Sequence, residues 1–282
     1  MTDHRFFRQL LLVLCLSIMA AACAFAQAPA GKGEYEPSIG QFGKDVIWIP
    51  TAQALADKML NLARVTPQDY VIDLGSGDGR FVISAAKRGA RALGIEYNPD
   101  MVELSKRTAA REGVADKARF IKADLFESDF SAATVITMFL LPEINLRLRP
   151  LILDLKPDTR IASNSFDMGD WTADQTVAVS KEEGCDNNYC QAFFWVVPAK
   201  VEGTWKLPQG ELKLKQNYQM VSGELNPGKD SISIADGRLS GSRISFKIGQ
   251  AHYTGSVTGS AMEGTFKSAG NSGTWSAKRL AN

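Results

Sequence analysis

The sequence has few histidines, few cysteines and no surplus of either charge, and each of these features argues against one kind of partner or site. The formal net charge is +1 and no block of like charge stands out, so electrostatics give no reason to expect nucleic acid as a partner. The two histidines, His4 and His252, lie far apart and the four cysteines do not cluster with them. Zinc sites usually combine such residues at short spacing, so we predict no metal ion.

Long hydrophobic runs are also missing, apart from one near the N-terminus. Arg5 and Arg8 precede an apolar run from Leu10 to Ala26, which is shorter than the roughly 20 residues of a membrane-spanning helix. A basic start, an apolar core and an Ala-x-Ala ending predict a secretory signal peptide over residues 1–26. Lipoprotein processing at Cys23 and an uncleaved N-terminal anchor are the alternatives. All three interpretations predict an exported protein, either periplasmic or secreted.

Only Cys185 and Cys190 would remain after such a cleavage, and they flank a short polar loop between two strand-like runs. A hairpin can bring two such cysteines within bonding distance, and an oxidising compartment preserves the bond. We therefore predict a disulfide, with two free thiols as the alternative. Metal binding is a weaker alternative, because two thiols without a nearby histidine make a poor site.

Strand and helix patterns alternate after a linker that we place at residues 27–45, and this alternation defines a domain over residues 46–199. It predicts an α/β fold with a Rossmann-like, mostly parallel sheet, helices on both faces and a final antiparallel pair. Thr51 is the predicted N-cap of the first helix. Helices are predicted at Ala52–Ala63, Gly79–Arg88, Pro99–Glu112 and Pro142–Leu155. Strands are predicted at Tyr70–Leu74, Arg91–Tyr97, Arg119–Ala123, Ala133–Leu140, Arg160–Phe166, Thr176–Ser180 and Gln191–Val197.

Helical periodicity ends near Lys200, and residues 200–282 predict a small all-β antiparallel domain, either a barrel or a sandwich. Similar Gly-Thr-Trp triplets begin at Gly203 and Gly273, which suggests that the first and last strands meet. Glycine and serine separate short alternating runs at Glu211–Gln216, Tyr218–Leu225, Ser231–Ile234, Arg243–Ile248, His252–Val257, Met262–Lys267 and Gly273–Lys278.

A glycine-rich turn between the first strand and the second helix carries the main functional signal. Gly75, Gly77 and Gly79 follow an apolar strand at alternate positions, where glycine lets the backbone approach a ligand closely. A dinucleotide fingerprint requires glycine at the sixth position, which is Arg80 here. Asp73 precedes the first glycine, and its carboxylate suits a cationic ligand group better than a pyrophosphate.

Two more acidic residues end the next strands. Glu96 closes the second strand, where a carboxylate can accept hydrogen bonds from both ribose hydroxyls. Asp124 closes the third strand, where it can accept from an adenine amino group while the adjacent backbone receives a ring nitrogen. The carboxyl ends of consecutive parallel strands form the ligand site of open α/β sheets. We therefore predict that these acids and the glycine-rich turn bind one ligand.

With these motifs the sequence resembles the class I methyltransferases that use S-adenosylmethionine (AdoMet). Asp73 to Gly79 is similar to their first motif, Glu96 to the acid of their second, and Asp124 to the acid that contacts adenine. The resemblance implies AdoMet as the cofactor. The predicted AdoMet-binding residues are Asp73, Gly75, Ser76, Gly77, Gly79, Glu96, Tyr97, Asp124 and Leu125.

A narrower resemblance covers roughly Val46 to Trp171 and points to the small protein-lysine methyltransferases of mitochondria and their bacterial relatives. It rests on the first motif and on three further segments, Trp48–Thr51, Gly94–Pro99 and Phe166–Trp171. Those enzymes act on the ADP/ATP carrier and the c-subunit of ATP synthase. The resemblance implies a protein lysine as the methyl acceptor, with a membrane-associated substrate as one form of it. The N-terminal run and the β-rich tail lie outside the resemblance.

The acceptor side of the site is defined mainly by what it lacks. The fourth strand runs into Phe139-Leu140-Leu141-Pro142 instead of the Asn/Asp-Pro-Pro-aromatic sequence of enzymes that methylate amide or base nitrogens, and no histidine is available there as a general base. We assign no catalytic residue, and propose that Trp48, Thr51 and Phe139 line the acceptor side. Two alternative functions are an NAD-linked oxidoreductase and an exported, non-catalytic binding protein whose β domain recognises a partner.

Overall fold

The computed structural model describes residues 34–228 and 230–281. The chain divides into two compact units, Met1–Pro37 and Ser38–Asn282. The predicted signal peptide, including Cys23, lies outside the described residues. None of the helices that the structure describes is both long and apolar enough to cross a membrane.

The first part of the larger unit is a seven-stranded sheet with the order β3-β2-β1-β4-β5-β7-β6. The first five strands run parallel, and β7 pairs antiparallel with both β5 and β6. The predicted Rossmann-like architecture is thereby confirmed. The helices are α1 (Gln53–Leu62), α2 (Arg80–Lys87), α3 (Pro99–Arg111) and α4 (Pro142–Leu153). The strands are β1 (Tyr70–Leu74), β2 (Arg91–Glu96), β3 (Ala118–Lys122), β4 (Val135–Met138), β5 (Arg160–Asn164), β6 (Gln175–Ala178) and β7 (Gln191–Val196).

The central strands are apolar because the sheet is covered on both faces. All four residues of β4 are buried, as are the last four of β1. Two clusters of buried apolar side chains pack against the sheet, one including Leu55, Phe81 and Val135 and the other including Ile72, Ile136 and Leu148. The strand order reverses at β1, between β2 and β4. Open α/β sheets form their ligand crevices at such reversals, outside the carboxyl ends of the strands.

The predicted capping of the first helix is wrong. Ala52 occupies the N-cap of α1, and no side chain caps the helix there. Thr51 is only 4% exposed, and its hydroxyl accepts a hydrogen bond from Asn164 Nδ2 at 2.9 Å. A contact across 113 residues of sequence has therefore replaced the local cap, and it ties the start of α1 to the end of β5.

The second part of the larger unit is a closed barrel with the strand order β10-β11-β12-β13-β14-β15-β8-β9. Of the two predicted architectures, the barrel is the observed one. The first and last strands meet, as the two triplets predicted, with Trp205 of β8 opposite Arg279 of β15. Its strands are β8 (Gly203–Leu207), β9 (Gly210–Asn217), β10 (Met220–Asn226), β11 (Ile232–Ser240), β12 (Arg243–Ile248), β13 (Ala251–Thr258), β14 (Ala261–Ser268) and β15 (Asn271–Arg279).

The barrel packs against the sheet domain through the turn between β9 and β10. The ring of Tyr218 stacks on Trp171 with centroids 5.9 Å apart and planes 17° apart, and its hydroxyl donates to Asp170 at 3.0 Å. Arg238 of β11 pairs with Asp174 at 2.7 Å. Stacked rings, a hydrogen bond and an ion pair together join the two domains.

Cys185 and Cys190 are bonded, with their sulfur atoms 2.00 Å apart, so the predicted disulfide is confirmed. The bond lies in the loop between β6 and β7. Cys185 is buried in one of the two core clusters, and Cys190 packs against the same cluster from the start of β7. The disulfide therefore attaches the tip of a hairpin to the core.

Candidate active site

A cavity of about 550 Å³ lies at the carboxyl ends of β1, β2 and β4, where the strand order reverses. Its volume is typical of a small-molecule or cofactor site, for which roughly 300–1,000 Å³ is usual. Residues 41–51, which precede α1, form one wall of it. The segment predicted as the end of the linker is therefore part of the site.

The glycine-rich turn lines this cavity. Its backbone takes conformations that residues other than glycine avoid. Gly77 has φ +52°, and a Cβ added to it would lie 2.8 Å from Trp48 Nε1. Gly79 has φ +80° and occupies the N-cap of α2, where a Cβ would lie 2.7 Å from the ring of Phe120. Glycine at these positions keeps the turn close to both the ligand space and the sheet.

Asp73 is the second-to-last residue of β1, just before the glycine-rich turn, and is 2% exposed. Thr137 of β4 donates a hydrogen bond to its Oδ1 at 2.6 Å. The pKa of Asp73 is raised to about 7, mainly by burial and also by the nearby charges of Asp78 and Glu96, while the hydrogen bond from Thr137 opposes the shift. A buried carboxyl group in this state favours a cationic ligand, because a positive charge beside it restores the ionised form.

Glu96 is held by backbone amides on both sides. Its Oε2 accepts from Gly77 N at 2.9 Å and its Oε1 from Asn98 N at 2.8 Å. These two bonds fix the carboxylate at the edge of the cavity between the glycine-rich turn and α3. Each oxygen retains a further lone pair, so the group can still accept a pair of hydroxyl donors.

Asp124 also borders the cavity, but its carboxylate has partners within the chain. Oδ1 accepts from Phe126 N at 2.9 Å, and Oδ2 forms an ion pair with Lys44. This ion pair holds the pKa of Asp124 below its usual value. Lys44 Nζ also lies 5.0 Å above the ring of Tyr97. A ligand amino group would therefore share the Asp124 carboxylate with Lys44 or displace it.

Three aromatic side chains, Phe139, Phe166 and Tyr189, also line the cavity. The ring centroid of Phe139 lies 6.1 Å from that of Phe166 and 5.2 Å from that of Tyr189, and Phe166 and Tyr189 are 6.3 Å apart. Trp48 and Thr51 also line the cavity, and their assignment to the acceptor side stays a prediction. The aromatic rings and the acids Asp73 and Glu96 thus line the same cavity.

Most of the predicted site residues meet at this cavity. The residues that line it are Asp73, Gly75, Ser76, Gly77, Glu96, Tyr97, Asp124 and Leu125. Gly79 does not line it, because that residue turns the chain into α2. His252 lies on β13 of the barrel and does not line the cavity. The described residues contain no group of three His, Cys, Asp or Glu side chains placed to hold a metal ion.

Sequence reasoning missed three contributors to the site. Lys44 was assigned to the linker, although it pairs with an acid 80 residues away. Thr137 contributes through a hydrogen bond to Asp73, which lies 64 residues away in the sequence. Tyr189 contributes through its ring contact with Phe139, which belongs to another part of the fold. The only local signal was the position of Tyr189 beside Cys190, within a loop already predicted to be closed by a disulfide.

Comparisons with known proteins agree with this site. Residues 73–175 match the model of the ANTKMT methyltransferase domain. A protein-lysine N-methyltransferase of Saccharolobus islandicus (strain REY15A) is 38% identical over 146 residues, which are 51% of this chain and 89% of that protein. The Homo sapiens lysine N-methyltransferase named for the c-subunit of ATP synthase is 39% identical over 140 residues, 49% of this chain and 58% of that protein.

A solved structure, described as an RNA methyltransferase from Salinibacter ruber in complex with S-adenosyl-L-homocysteine, is 43% identical to this chain. The match covers 54% of this chain and 96% of that one, with a TM-score of 0.50. The fold and the site thus define a class I AdoMet-dependent methyltransferase. Within that class, the chain belongs to the protein-lysine N-methyltransferase family. This assignment excludes the NAD-linked alternative.

The residues present fit AdoMet. The conformations of Gly77 and Gly79 leave space where any side chain would clash with Trp48 or Phe120. Asp73 offers a buried carboxyl to a cationic amino-acid end, and Glu96 offers an anchored carboxylate to a ribose. The hydroxyl of Ser76 is buried without a hydrogen-bond partner among the described residues, so a polar atom remains for a ligand or water to satisfy.

Proposed function

We propose that this protein transfers a methyl group from AdoMet to the side-chain amine of a protein lysine. The observation that carries the proposal is that one cavity is lined both by two acids, Asp73 and Glu96, and by three aromatic rings, Phe139, Phe166 and Tyr189. The acids suit a cationic cofactor. The aromatic rings suit the alkyl chain and neutral amine of a lysine.

AdoMet supplies an already activated methyl group, so the chain mainly has to bind, orient and exclude water. Asp73 fixes the amino-acid end by charge and Glu96 fixes the ribose, which together orient the cofactor. The aromatic rings desolvate the entering amine, and desolvation lowers the pKa of a lysine so that more of it arrives neutral. The nitrogen lone pair would then form the new bond to the methyl carbon as the sulfur–carbon bond of the sulfonium breaks. The electron pair of that bond would stay on sulfur, leaving S-adenosylhomocysteine, and the methylated amine would lose its surplus proton to water.

The lysine acceptor is favoured over RNA, although one solved relative is described as an RNA methyltransferase. The net charge of +1 gives no overall electrostatic attraction to a phosphate backbone. Two of the relatives named above are lysine methyltransferases. The apolar sequence Phe139 to Pro142 at the end of β4 places no amide side chain where one could pair with a base.

Incubation of the full chain with tritiated AdoMet and a cell extract tests this proposal. We expect label in protein, released as methyllysine on acid hydrolysis, and about tenfold or more loss of it in Glu96→Gln. Label removed by ribonuclease would identify RNA as the acceptor and refute the lysine proposal. Absence of AdoMet binding by a folded sample would instead favour the non-catalytic alternative.

We further propose that the protein acts outside the cytosol. The Cys185–Cys190 disulfide supports this, because such bonds persist in oxidising compartments. The basic and apolar pattern of residues 1–26 also supports it. Fusion of alkaline phosphatase after residue 40 tests the proposal, since this reporter is active only after export. An inactive, stable fusion would refute it.

We also propose that the protein acceptor is associated with a membrane. Phe42 is 88% exposed and Ile47 is 48% exposed at the rim of the cavity, beside Leu141 at 40%. Exposed apolar side chains around a site support an acceptor that brings apolar surface of its own. Methylation of lysine in the membrane fraction, reduced by Phe42→Ser, is the expected result. Equal labelling of soluble and membrane proteins would contradict it.

A further inference from the structure

Tyr189 reaches the cavity from the loop between β6 and β7, which is exposed at its tip. The backbone N–H of Tyr189 donates to Asn187 Oδ1 at 2.8 Å, and the two bonded cysteines flank this pair. Asp186, Asn187 and Asn188 are all exposed, so the tip has little packing of its own. Its position depends on how its ends are held.

The disulfide supplies that hold. Cys185 is 3% exposed and anchored in the core, and its N–H donates to Ser180 O at 3.0 Å. Cys190 follows Tyr189 directly and its carbonyl accepts from Val179 N at 2.9 Å. The covalent bond between the cysteines closes the tip into a small ring that contains Tyr189. The bond therefore restricts where the tyrosine ring can lie.

The two rings that Tyr189 contacts are fixed independently of this loop. Phe139 follows β4 directly, next to the fully buried Met138. Phe166 follows β5, where its carbonyl accepts from Ser163 Oγ at 2.6 Å and from Asn145 Nδ2 at 3.2 Å. The loop thus adds the third ring to an aromatic wall whose other two rings belong to the sheet domain.

We propose that Tyr189 binds the alkyl chain of the acceptor lysine and that the Cys185–Cys190 disulfide positions it to do so, which makes acceptor binding dependent on redox state. The inference rests on the proposed function. Reduction by a dithiol breaks the sulfur–sulfur bond, gives two thiols with two electrons and two protons, and converts the dithiol to its cyclic disulfide. The freed loop then no longer holds Tyr189 against Phe139 and Phe166.

Two probes separate the cofactor side from the acceptor side by calorimetry on the full chain. S-adenosylhomocysteine occupies the cofactor side alone. The second probe is its analogue with nitrogen in place of sulfur and with a four-carbon aminoalkyl chain on that nitrogen, which mimics the lysine stem. We expect Tyr189→Ala to weaken the analogue about tenfold, the effect of losing an apolar contact in a pocket, without changing the Kd of S-adenosylhomocysteine. Tyr189→Phe should bind the analogue as tightly as the wild type does, because the ring makes the contact.

Reduction tests the disulfide. Dithiothreitol and the double substitution Cys185→Ser with Cys190→Ser should each weaken the analogue as Tyr189→Ala does, and dithiothreitol should have no effect on the double variant. Asn188→Ala, an exposed neighbour in the same loop, is the matched control and should bind both probes as the wild type does. Unchanged S-adenosylhomocysteine binding shows in each case that the variant is folded.

The outcomes distinguish the two proposals. Equal binding of the analogue by wild type and Tyr189→Ala would overturn the role of Tyr189. A loss in Tyr189→Ala that neither reduction nor the double substitution reproduces would overturn the role of the disulfide. A folded wild type that binds no S-adenosylhomocysteine would overturn the proposed function itself.

Discussion

Acidification should weaken AdoMet binding in a range set by Asp73. Burial raises the pKa of this carboxyl to about 7 in the free chain, and binding of a cationic amino group requires the ionised form. Below that pKa, binding must first remove a proton from Asp73. Above a pH of about 8 the α-amino group of AdoMet loses its own charge, so the affinity should also fall on the alkaline side.

The magnitude follows from proton linkage. With a pKa of about 7, the apparent Kd should roughly double at pH 7 relative to its limiting value and rise about tenfold at pH 6, which is about 1.4 kcal/mol per pH unit. The same linkage requires that close to one proton leaves Asp73 for each AdoMet bound at pH 6. The hydrogen bond from Thr137 opposes the shift, but the pKa still lies at about 7, so the dependence remains.

Calorimetric titration at several pH values, in buffers with different heats of ionisation, measures both quantities in one series. Asp73→Asn is the control, since it should bind weakly and without the acid dependence. A Kd that is flat between pH 6 and pH 8, with no proton released, would refute the assignment of Asp73 to the amino-acid end of the cofactor.

Five substitutions have definite expected outcomes. Asp73→Asn should raise the Tm of the free chain, and by more at pH 8 than at pH 5, because a raised pKa makes the Asp73 contribution to stability fall as pH rises toward 7; equal Tm values would contradict this. Glu96→Gln places an amide where two backbone N–H groups need acceptors, and calorimetry should show AdoMet affinity about 10- to 100-fold lower. Gly77→Ala should abolish tight binding, whereas Gly249→Ala, with a similar φ of +57° and open space around it, should only lower the Tm slightly. Tyr218→Ala should cost about 1–3 kcal/mol in unfolding free energy by removing a ring at the domain junction, and an unchanged Tm would show that the junction contributes little.

Local patterns predicted the elements whose order defines the site. The apolar strand Tyr70–Leu74 is observed with the predicted bounds, and Pro99 starts α3 as expected. The acids Asp73, Glu96 and Asp124 were identified because each lies at or just after the end of a strand whose apolar pattern is readable in a few residues. Parallel pairing then brings the strand ends to one edge of the sheet without further information.

Contacts between distant residues account for what the sequence did not predict. Thr51 is of a residue type that often caps helices, but its hydroxyl accepts a hydrogen bond from Asn164 instead. Strand β11 extends from Ile232 to Ser240, well beyond the predicted run, because Asp236 at φ +53° interrupts the alternation while the strand continues. Its pairing register shifts there, a β-bulge that no local pattern reveals. Lys44 gave no signal, since its partner is fixed only by the fold.

The short link between β7 and the barrel limits how the two domains can be used. Only six residues separate Val196 from Gly203, and the Tyr218 stack and the Arg238 ion pair also join the barrel to the sheet domain. These connections hold the barrel in one position relative to the sheet domain. A partner protein seated on the barrel would be held at a constant spacing from the cavity, so the choice of lysine would follow from distance along that partner as much as from its local sequence.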